Sequence, residues 1–307
     1  MASFDDRDGF IWLDGQLMPW REAKVHVLTH TLHYGMGCFE GVRAYETPKG
    51  TAIFRLTAHT QRLFNSAKIL GLEIPFTQAQ LNDAQRQVVR ENKLPACYIR
   101  PMVFLGSEGM GLHAEGLAVH VMVAAWSWGS YLGEEQLEKG LRVKTSSFQR
   151  HHVNVTLCRA KANGNYLNSM MAINEVSRDG YDEALMLDVE GYVAEGSAEN
   201  IFTVAGGRLY TPDLTSALDG ITRRTVMELA AEMGIACTEK RITRDEVYMA
   251  DEAFFTGTAA EVVPIRELDN RVIGTGARGP ITQKLQSRYL ELVRGKRNEH
   301  AEWLAYV

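Results

Sequence analysis

The chain has 307 residues, 45% of them hydrophobic and 23% charged, which is typical of a folded protein of about two domains and excludes a disordered or fibrous chain. With 33 basic and 38 acidic residues the formal charge is −5, so no basic excess is available to bind nucleic acid, which is therefore excluded as a partner. The four cysteines are far apart and form no Cys-x-x-Cys pair, which predicts reduced thiols and argues against a zinc ribbon.

In the first 128 residues, short strand-like runs alternate with helical ones. Asp14-Gly15 favours a type I′ hairpin turn, and Pro48-Lys49-Gly50 predicts a second hairpin. Apolar positions at helical spacing, followed by Gly71 as a stop, predict the first of two helices. The predicted elements are strands at 10–13, 16–20, 42–45 and 51–54, helices at 57–70 and 78–91, and strands at 97–105 and 117–128. This pattern predicts a small α/β domain.

Residues 129–141 contain three glycines and several charges without an apolar period, which predicts an interdomain linker. It divides the chain into an N-terminal domain of residues 1–128 and a larger C-terminal domain of residues 142–307. The second domain is predicted to be a mostly antiparallel, barrel-like sheet with a few helices. Its predicted elements are strands at 184–189, 192–194, 201–204, 208–210 and 252–255, and helices at 222–233 and 281–293. The fold class is therefore α+β with two domains.

The N-terminal segment MASFDDRDGF carries acidic residues where a signal peptide needs a basic region followed by an apolar one. The longest apolar stretch, residues 117–128, is shorter than the roughly 20 residues that a membrane span requires. We therefore expect a cytoplasmic protein without a membrane partner.

Two motif-like features have plain structural interpretations. The match of Gly274–Gly279 to G-x-G-x-x-G is followed by too few residues for a dinucleotide-binding βαβ unit, so we interpret it as a loop before a helix. The histidines are scattered, and the adjacent His151 and His152 would point to opposite faces of an extended segment. No metal site is predicted.

Four segments between residues 161 and 260 are more informative together than singly. Alone, Lys161 ahead of a helix is typical of an exposed cation, and Glu195 in a loop is typical of a solvated acid. The segment 218–222 precedes a well-defined helix, whose first N–H groups form an anion site. The segment 256–260 follows a strand and offers hydroxyls and amides for a second anion contact. The helix after Lys161 is expected to bury its large apolar residues, Leu167, Met170 and Met171.

Together these segments resemble the fold type IV pyridoxal phosphate enzymes, and specifically the branched-chain amino acid aminotransferases. E-G-S-A-E-N-I-F, L-Y-T and L-D-G-I-T-R, between Glu195 and Arg223, match the long family signature in residue type and spacing. The resemblance covers about residues 9 to 290. The motifs that suggest the branched-chain subgroup are His33-Tyr34-Gly35, Phe39-Glu40-Gly41-Val42-Arg43, Tyr98-Ile99-Arg100-Pro101, Gly109-Met110-Gly111 and the segment from Trp128 to residue 133.

The resemblance implies pyridoxal 5′-phosphate as the cofactor and gives roles to individual residues. It implies that Lys161 is the catalytic lysine, which binds the cofactor covalently and then carries the proton between the substrate Cα and the cofactor. It implies that Glu195 keeps the pyridine nitrogen protonated and that Tyr166 hydrogen-bonds the phenolate oxygen of the ring. The implied phosphate-binding groups are the Arg62 side chain, the helix start at Gly220, Ile221 and Thr222, and the Thr258 hydroxyl.

The implied substrates are leucine, isoleucine and valine, with 2-oxoglutarate as the amino acceptor and branched-chain 2-oxo acids and L-glutamate as products. Aromatic walls suit apolar side chains, whereas the second carboxylate of glutamate needs Arg100. The implied substrate pocket comprises Tyr34, Phe39, Gly41, Tyr98, Arg100, Met110, Trp128, Tyr131, and the Thr258 and Ala259 amides. In this family the loop around Met110 reaches the neighbouring subunit's site, so a homodimer is the expected minimum unit. Hexamers occur among relatives.

Three alternatives stay open at this point. Other enzymes of the same fold act on D-amino acids, (R)-amines or aminodeoxychorismate, although Tyr98-x-Arg100 and Trp128-x-x-Tyr131 favour the branched-chain interpretation. A nicotinamide-dependent dehydrogenase would rest only on the glycine-rich loop at 274–279. A non-catalytic binding protein would leave Lys161 unmodified. The visible absorbance of a lysine-bound cofactor separates the first alternative from the other two.

Overall fold

The computed structural model describes residues 3–128 and 134–307. The described strands are β1 Phe10–Leu13, β2 Gln16–Pro19, β3 Gly37–Phe39, β4 Val42–Thr47, β5 Gly50–Phe54, β6 Cys97–Leu105, β7 Val119–Trp126, β8 Leu141–Thr145, β9 Glu183–Leu187, β10 Val193–Gly196, β11 Asn200–Ala205, β12 Arg208–Thr211, β13 Cys237–Glu239, β14 Glu252–Gly257, β15 Glu261–Leu268, β16 Arg271–Val272 and β17 Leu304–Tyr306. The described α-helices are α1 His30–Tyr34, α2 Leu56–Ile69, α3 Gln78–Glu91, α4 Glu134–Lys139, α5 Tyr166–Arg178, α6 Ile221–Glu232, α7 Arg244–Tyr248 and α8 Pro280–Val293. These elements confirm the α+β fold class.

The described residues form two compact units. The first contains the residues up to 128, together with Ala160–Gly164 and Val293–Val307, and the second contains the rest. The predicted domains at 1–128 and 142–307 are each one continuous stretch of chain. In the structure, two segments from the C-terminal half belong to the first unit. The physical reason is strand pairing, because Ala162 bridges to Cys38 and β17 pairs with β5. The domain limits themselves stay a prediction.

The first unit is built on an antiparallel sheet with the strand order β17-β5-β4-β6-β7-β1-β2, and β3 pairs with β6. Asp14 and Gly15 both have positive φ angles, 47° and 95°, which confirms the predicted type I′ hairpin. Helices α2 and α3 contribute Leu63, Ala67 and Leu81 to the buried core of this unit. Helix α3 has the predicted bounds and begins at a capping box formed by Thr77 and Gln80.

The second unit is built on a mixed sheet with the strand order β10-β9-β8-β15-β14-β11-β12-β13, and β16 pairs with β15. The pairs β8–β9, β8–β15 and β12–β13 are parallel, and the other described pairs are antiparallel. The predicted hairpins β9–β10 and β11–β12 are present. Helix α6 buries Val226, Leu229 and Ala230, as its spacing predicts. Among the described helices, none combines the length and apolarity needed to cross a membrane.

Within the predicted linker, residues 134–139 form α4, and Leu137 packs against the core of the second unit. One prediction about local structure is wrong. On α5, Leu167, Met170 and Met171 are exposed, while the buried residues are Ser169, Ala172 and Val176. Both sets have helical spacing, so periodicity alone could not select the inward face. In the structure, the smaller residues of α5, Ser169, Ala172 and Val176, face the interior of the second unit.

Candidate active site

Lys161 lies in a short extended segment that the first unit holds at both sides. Its main-chain carbonyl accepts a hydrogen bond from Phe39 N at 3.1 Å, and its own N–H donates to Ser66 Oγ at 3.0 Å. The side chain is half-buried, and its Nζ lies 5.1 Å from the centroid of the Phe39 ring. The main chain at Lys161 is therefore fixed against β3 and α2. The spacing alone suggests an exposed cation ahead of a helix, whose main chain would not be held in this way.

A buried cluster of Glu40, His59 and Arg62 lies in the same unit. The Glu40 side chain is 0% exposed and accepts from Arg62 Nε at 2.6 Å, from Arg62 Nη2 at 2.9 Å and from His59 Nδ1 at 2.7 Å. Burial raises the pKa of Glu40, but the charge and hydrogen bonds of Arg62 and His59 lower it by more. The resulting pKa of Glu40 is about 2. Burial lowers the pKa of His59. The cluster therefore holds a carboxylate, a guanidinium and a neutral imidazole.

The residues expected to bind substrate form a second group in the first unit. The Arg100 guanidinium lies 4.5 Å from the Phe39 ring centroid and 5.3 Å from that of Tyr98, and its Nη2 donates to the Tyr98 hydroxyl at 3.1 Å. Arg100 Nε is buried, and no group of the described residues hydrogen-bonds it. Trp128 meets the Tyr98 ring edge-on at 4.5 Å. A Cβ at Gly41 would overlap the Tyr98 hydroxyl, so the missing side chain at this position makes room for the tyrosine.

The remaining predicted substrate residues of the N-terminal part are exposed or outside the described chain. Tyr34 and Met110 are exposed. The main-chain oxygen of Gly111, next to Met110, lies 2.8 Å from His30 Nε2, which attaches the Met110 loop to α1. Tyr131 lies outside the described residues.

In the second unit, the buried carboxylate of Glu195 is held by a cation and by the main chain. Arg150 Nε lies 3.0 Å from Glu195 Oε1 as an ion pair, although it is not aligned for a hydrogen bond. Leu218 N donates to Oε2 at 3.1 Å. The Arg150 guanidinium is itself fixed by the carbonyls of Gly196 and Ser197 at 3.0 and 3.3 Å. An ionised carboxylate at this position is therefore compensated.

Two further buried acids lie near Glu195 in sequence. Glu183 accepts hydrogen bonds from the N–H groups of Ala184 and Ser197, at 2.7 and 3.2 Å, and burial raises its pKa. Glu199 accepts from Ala198 N at 3.1 Å. Arg150 lies at ion-pair distance from Glu195, 3.0 Å from Oε1.

The start of α6 has the features of an anion site. Helix α6 begins at Ile221 with Gly220 as its N-cap, and no side chain caps it. The Asn200 side chain donates to Leu218 O at 2.8 Å and lies where a Cβ on Gly220 would have to be. Thr222 is buried at the first turn. The first turn of the helix therefore follows a tightly packed glycine.

The other predicted cofactor- and substrate-binding residues of this unit are half-buried. Tyr166 begins α5, and Thr258 and Ala259 follow β14. In chemical type the residues fit a phosphorylated pyridine cofactor. The second unit offers a compensated carboxylate for the ring nitrogen and a helix start for phosphate, and the first unit offers a lysine and a guanidinium.

Sequence reasoning missed the partners of these residues. Glu40 stands inside a quoted motif but had no role, and nothing in the local pattern singled out His59, Arg150 or Glu183. Within the described chain, no three metal-ligating side chains are grouped. The four cysteines are free thiols, three of them buried, as predicted.

The family model described as amino-transferase class IV matches residues 37–268. The chain is 65% identical over 305 residues to a branched-chain-amino-acid aminotransferase of Pseudomonas aeruginosa, covering 99% of both proteins. It is also similar to a solved T.th. branched-chain amino acid aminotransferase with pyridoxamine 5′-phosphate, at a TM-score of 0.95 and 50% identity, covering 98% of this chain and 99% of that one. The same T.th. enzyme complexed with N-(5′-phosphopyridoxyl)-L-glutamate gives 0.95 and 49%, with the same coverage.

Proposed function

The chain belongs to the class IV aminotransferases, and from this premise we propose that it transfers the amino group of leucine, isoleucine or valine to 2-oxoglutarate with pyridoxal 5′-phosphate as cofactor. The observation that carries the proposal is the 65% identity, over nearly the whole of both chains, to a branched-chain-amino-acid aminotransferase. The related structure with a phosphopyridoxyl-glutamate supports both the cofactor and glutamate as the amino product.

The cofactor supplies an electron-withdrawing ring when bound, and the chain's residues bind it and move protons. Lys161 Nζ would be the point of covalent attachment and, when released, would move the proton at the substrate Cα. Glu195 keeps the ring nitrogen protonated, supported by the Arg150 ion pair at 3.0 Å. Tyr166 donates to the phenolate oxygen. Phosphate is bound by Arg62, by the start of α6 at Gly220, Ile221 and Thr222, and by Thr258.

Substrate specificity is assigned to the group around Arg100. The rings of Phe39, Tyr98 and Trp128 give apolar surface for a branched side chain. Arg100 donates to the second carboxylate of glutamate or 2-oxoglutarate and otherwise donates to the Tyr98 hydroxyl, 3.1 Å away. The Thr258 and Ala259 amides receive the α-carboxylate. Tyr34, Gly41, Met110 and Tyr131 complete the proposed pocket.

The test is to add pyridoxal phosphate to the purified chain, reduce it with borohydride and map the modified peptide. We expect a visible absorbance band before reduction and the phosphopyridoxyl group on Lys161. Modification of Lys144 or Lys240 instead would contradict the site. Turnover of L-leucine should greatly exceed that of D-leucine and of an (R)-amine, and the reverse order would favour the alternative aminotransferases.

We also propose a homodimer as the minimum unit. Apolar residues of the first unit are exposed around α1: Val25, Val27, Leu28, Leu32 and Tyr34. They adjoin a mainly apolar cavity of about 230 Å³ that includes Val25 and Leu32 in its lining. Exposed apolar surface of this kind supports a subunit contact. Sedimentation at micromolar concentration should show no single-chain species, and a stable monomer with full activity would contradict the proposal.

A further inference from the structure

The cluster of Glu40, His59 and Arg62 has a geometry that the proposed chemistry does not yet use. A guanidinium presents five N–H donors in a fixed plane. Two of those of Arg62, on Nε and Nη2, donate in parallel to the two oxygens of Glu40 at 2.6 and 2.9 Å. Such a bidentate pair fixes the plane of the guanidinium as well as its distance. The remaining three donors of Arg62, one on Nη2 and two on Nη1, must then point away from Glu40.

His59 fixes the carboxylate in turn. Its Nδ1 lies 2.7 Å from Glu40 Oε2, so the neutral imidazole donates there. His59 and Arg62 are neighbours on one face of α2, three residues apart. The side chains of Glu40 and His59 are 0% and 2% exposed, so water does not compete for these hydrogen bonds. The carboxylate is therefore held by two residues of the same helix turn.

We propose that Glu40, supported by His59, is the positioning residue that orients the Arg62 guanidinium toward the cofactor phosphate. This rests on the proposed function, since it takes Arg62 as a phosphate-binding residue. Glu40 does not touch the cofactor itself in this proposal. It keeps a buried cation in one orientation, so that the phosphate meets preformed donors and less order has to be created on binding.

The Glu40→Gln variant separates this role from simple packing. Glutamine has nearly the same shape, but one of its two terminal atoms is an N–H donor. All three partners of the Glu40 oxygens are donors, so either orientation of the amide sets a donor against a donor. The arginine should therefore leave its plane. Because removing the Glu40 charge would by itself strengthen the attraction of Arg62 for phosphate, a loss of phosphate binding in the folded variant indicates lost orientation.

The experiment measures the affinity of the cofactor-free enzyme for pyridoxal 5′-phosphate and for pyridoxal, which lacks the phosphate, by absorbance titration. The preference for the phosphorylated form should fall about tenfold or more in E40Q. A loss of this size is typical when a residue that orients a metal-binding side chain is replaced. Arg62→Met should lower the preference as well, and E40Q added to R62M should lower it no further. A preference in E40Q equal to or above that of the wild type overturns the proposal.

Thr60→Ala is the matched control. Thr60 is buried on the same helix, where it donates to Asn82 Oδ1 at 2.6 Å and accepts from Gln85 Nε2 at 3.0 Å. T60A should lower thermal stability while leaving the preference unchanged, and an equal loss of preference in T60A overturns the proposal.

His59→Leu removes one support of Glu40 and keeps the Arg62–Glu40 pair. This variant tests the positioning role if E40Q does not fold. A smaller fall in preference supports the proposal, and an unchanged preference in H59L overturns it. If the wild-type chain does not bind pyridoxal phosphate at all, the proposed function fails instead, which is a different result.

Discussion

The carboxylate of Glu195 is fixed at both oxygens, by Arg150 at 3.0 Å from Oε1 and by Leu218 N at 3.1 Å from Oε2. Changing Glu195 to Gln keeps the shape and removes the charge that we propose holds the ring nitrogen protonated. Losing a charge-assisted hydrogen bond in the transition state should lower kcat by on the order of 10²-fold or more. Glu199→Gln is the control, because Glu199 is also buried. Single-turnover kinetics with leucine measure both, and an inactive E199Q beside an active E195Q would reverse the assignment.

Arg100 is predicted to distinguish the two amino donors. In Arg100→Met the apolar side chain still lines the pocket, so the half-reaction with leucine should stay within a few fold. The half-reactions with glutamate and 2-oxoglutarate should lose about 1.5–3 kcal/mol, the usual contribution of a hydrogen bond to a charged group. Stopped-flow spectra of the separate half-reactions test this. Equal losses for leucine and glutamate would mean that Arg100 supports the fold or the cofactor instead of the substrate.

At the scale of elements, α8 is capped by a residue of a distant strand. Glu252 on β14 accepts from Ile281 N at 3.0 Å and from the N–H and hydroxyl of Thr282, each at 2.7 Å. An acid at a helix start satisfies free N–H groups and complements the helix dipole. Glu252 therefore joins α8 to the sheet of the second unit.

Glu252→Ala should remove the acceptors of the Ile281 and Thr282 N–H groups at the start of α8 and lower the free energy of unfolding by about 2–3 kcal/mol. Calorimetric unfolding of the apoenzyme measures the effect. Glu73→Ala, at an exposed loop position, should change it by less than about 0.5 kcal/mol. Equal effects of the two variants would show that the capping contacts do not contribute to stability.

At the scale of the whole molecule, two histidines are predicted to link stability to pH. Burial and the neighbouring Arg150 lower the pKa of His151 from 6.5 to about 4, and burial lowers the pKa of His59. As the pH falls, these histidines therefore bind a proton in the unfolded chain before they do so in the folded chain. Their contribution to stability is fully present above about pH 6.5 and is lost as the pH falls through the folded values.

The carboxylates act in other ranges of pH. Glu40, with a pKa of about 2, loses its contribution only below about pH 4.5. Glu183 has the opposite sign, because burial raises its pKa. Its contribution to stability is present at low pH and is lost as the pH rises through its folded pKa.

We therefore expect the melting temperature to fall as the pH drops from about 6.5 to about 4, and the fall should be smaller in His151→Gln. His152→Gln is the matched control, because His152 is exposed beside it. Calorimetry at constant ionic strength measures the three curves. Parallel curves for wild type and H151Q would contradict a half-buried histidine with a lowered pKa at this position.

Local signals predicted most elements of this fold. Helix α3 and strand β6 have the predicted bounds, Gln78–Glu91 and Cys97–Leu105. Turn residues with positive φ and capping side chains act over a few residues, so a local pattern is enough to place them. The signature from Glu195 to Arg223 likewise predicted the family, because its spacing follows three consecutive strands, β10 to β12, and the start of α6.

Tertiary structure decided which side chains are paired and which faces are buried. Glu40 meets His59 and Arg62 across 19 and 22 residues, and no local pattern records that contact. On α5 two faces had helical spacing, and packing in the second unit selected the one with Ser169 and Ala172. The sequence by itself determined hydrogen-bonding periodicity, turns and chemical type, which are local properties. Burial and the compensation of charge depend on which distant segments become neighbours, so only the folded chain decided them.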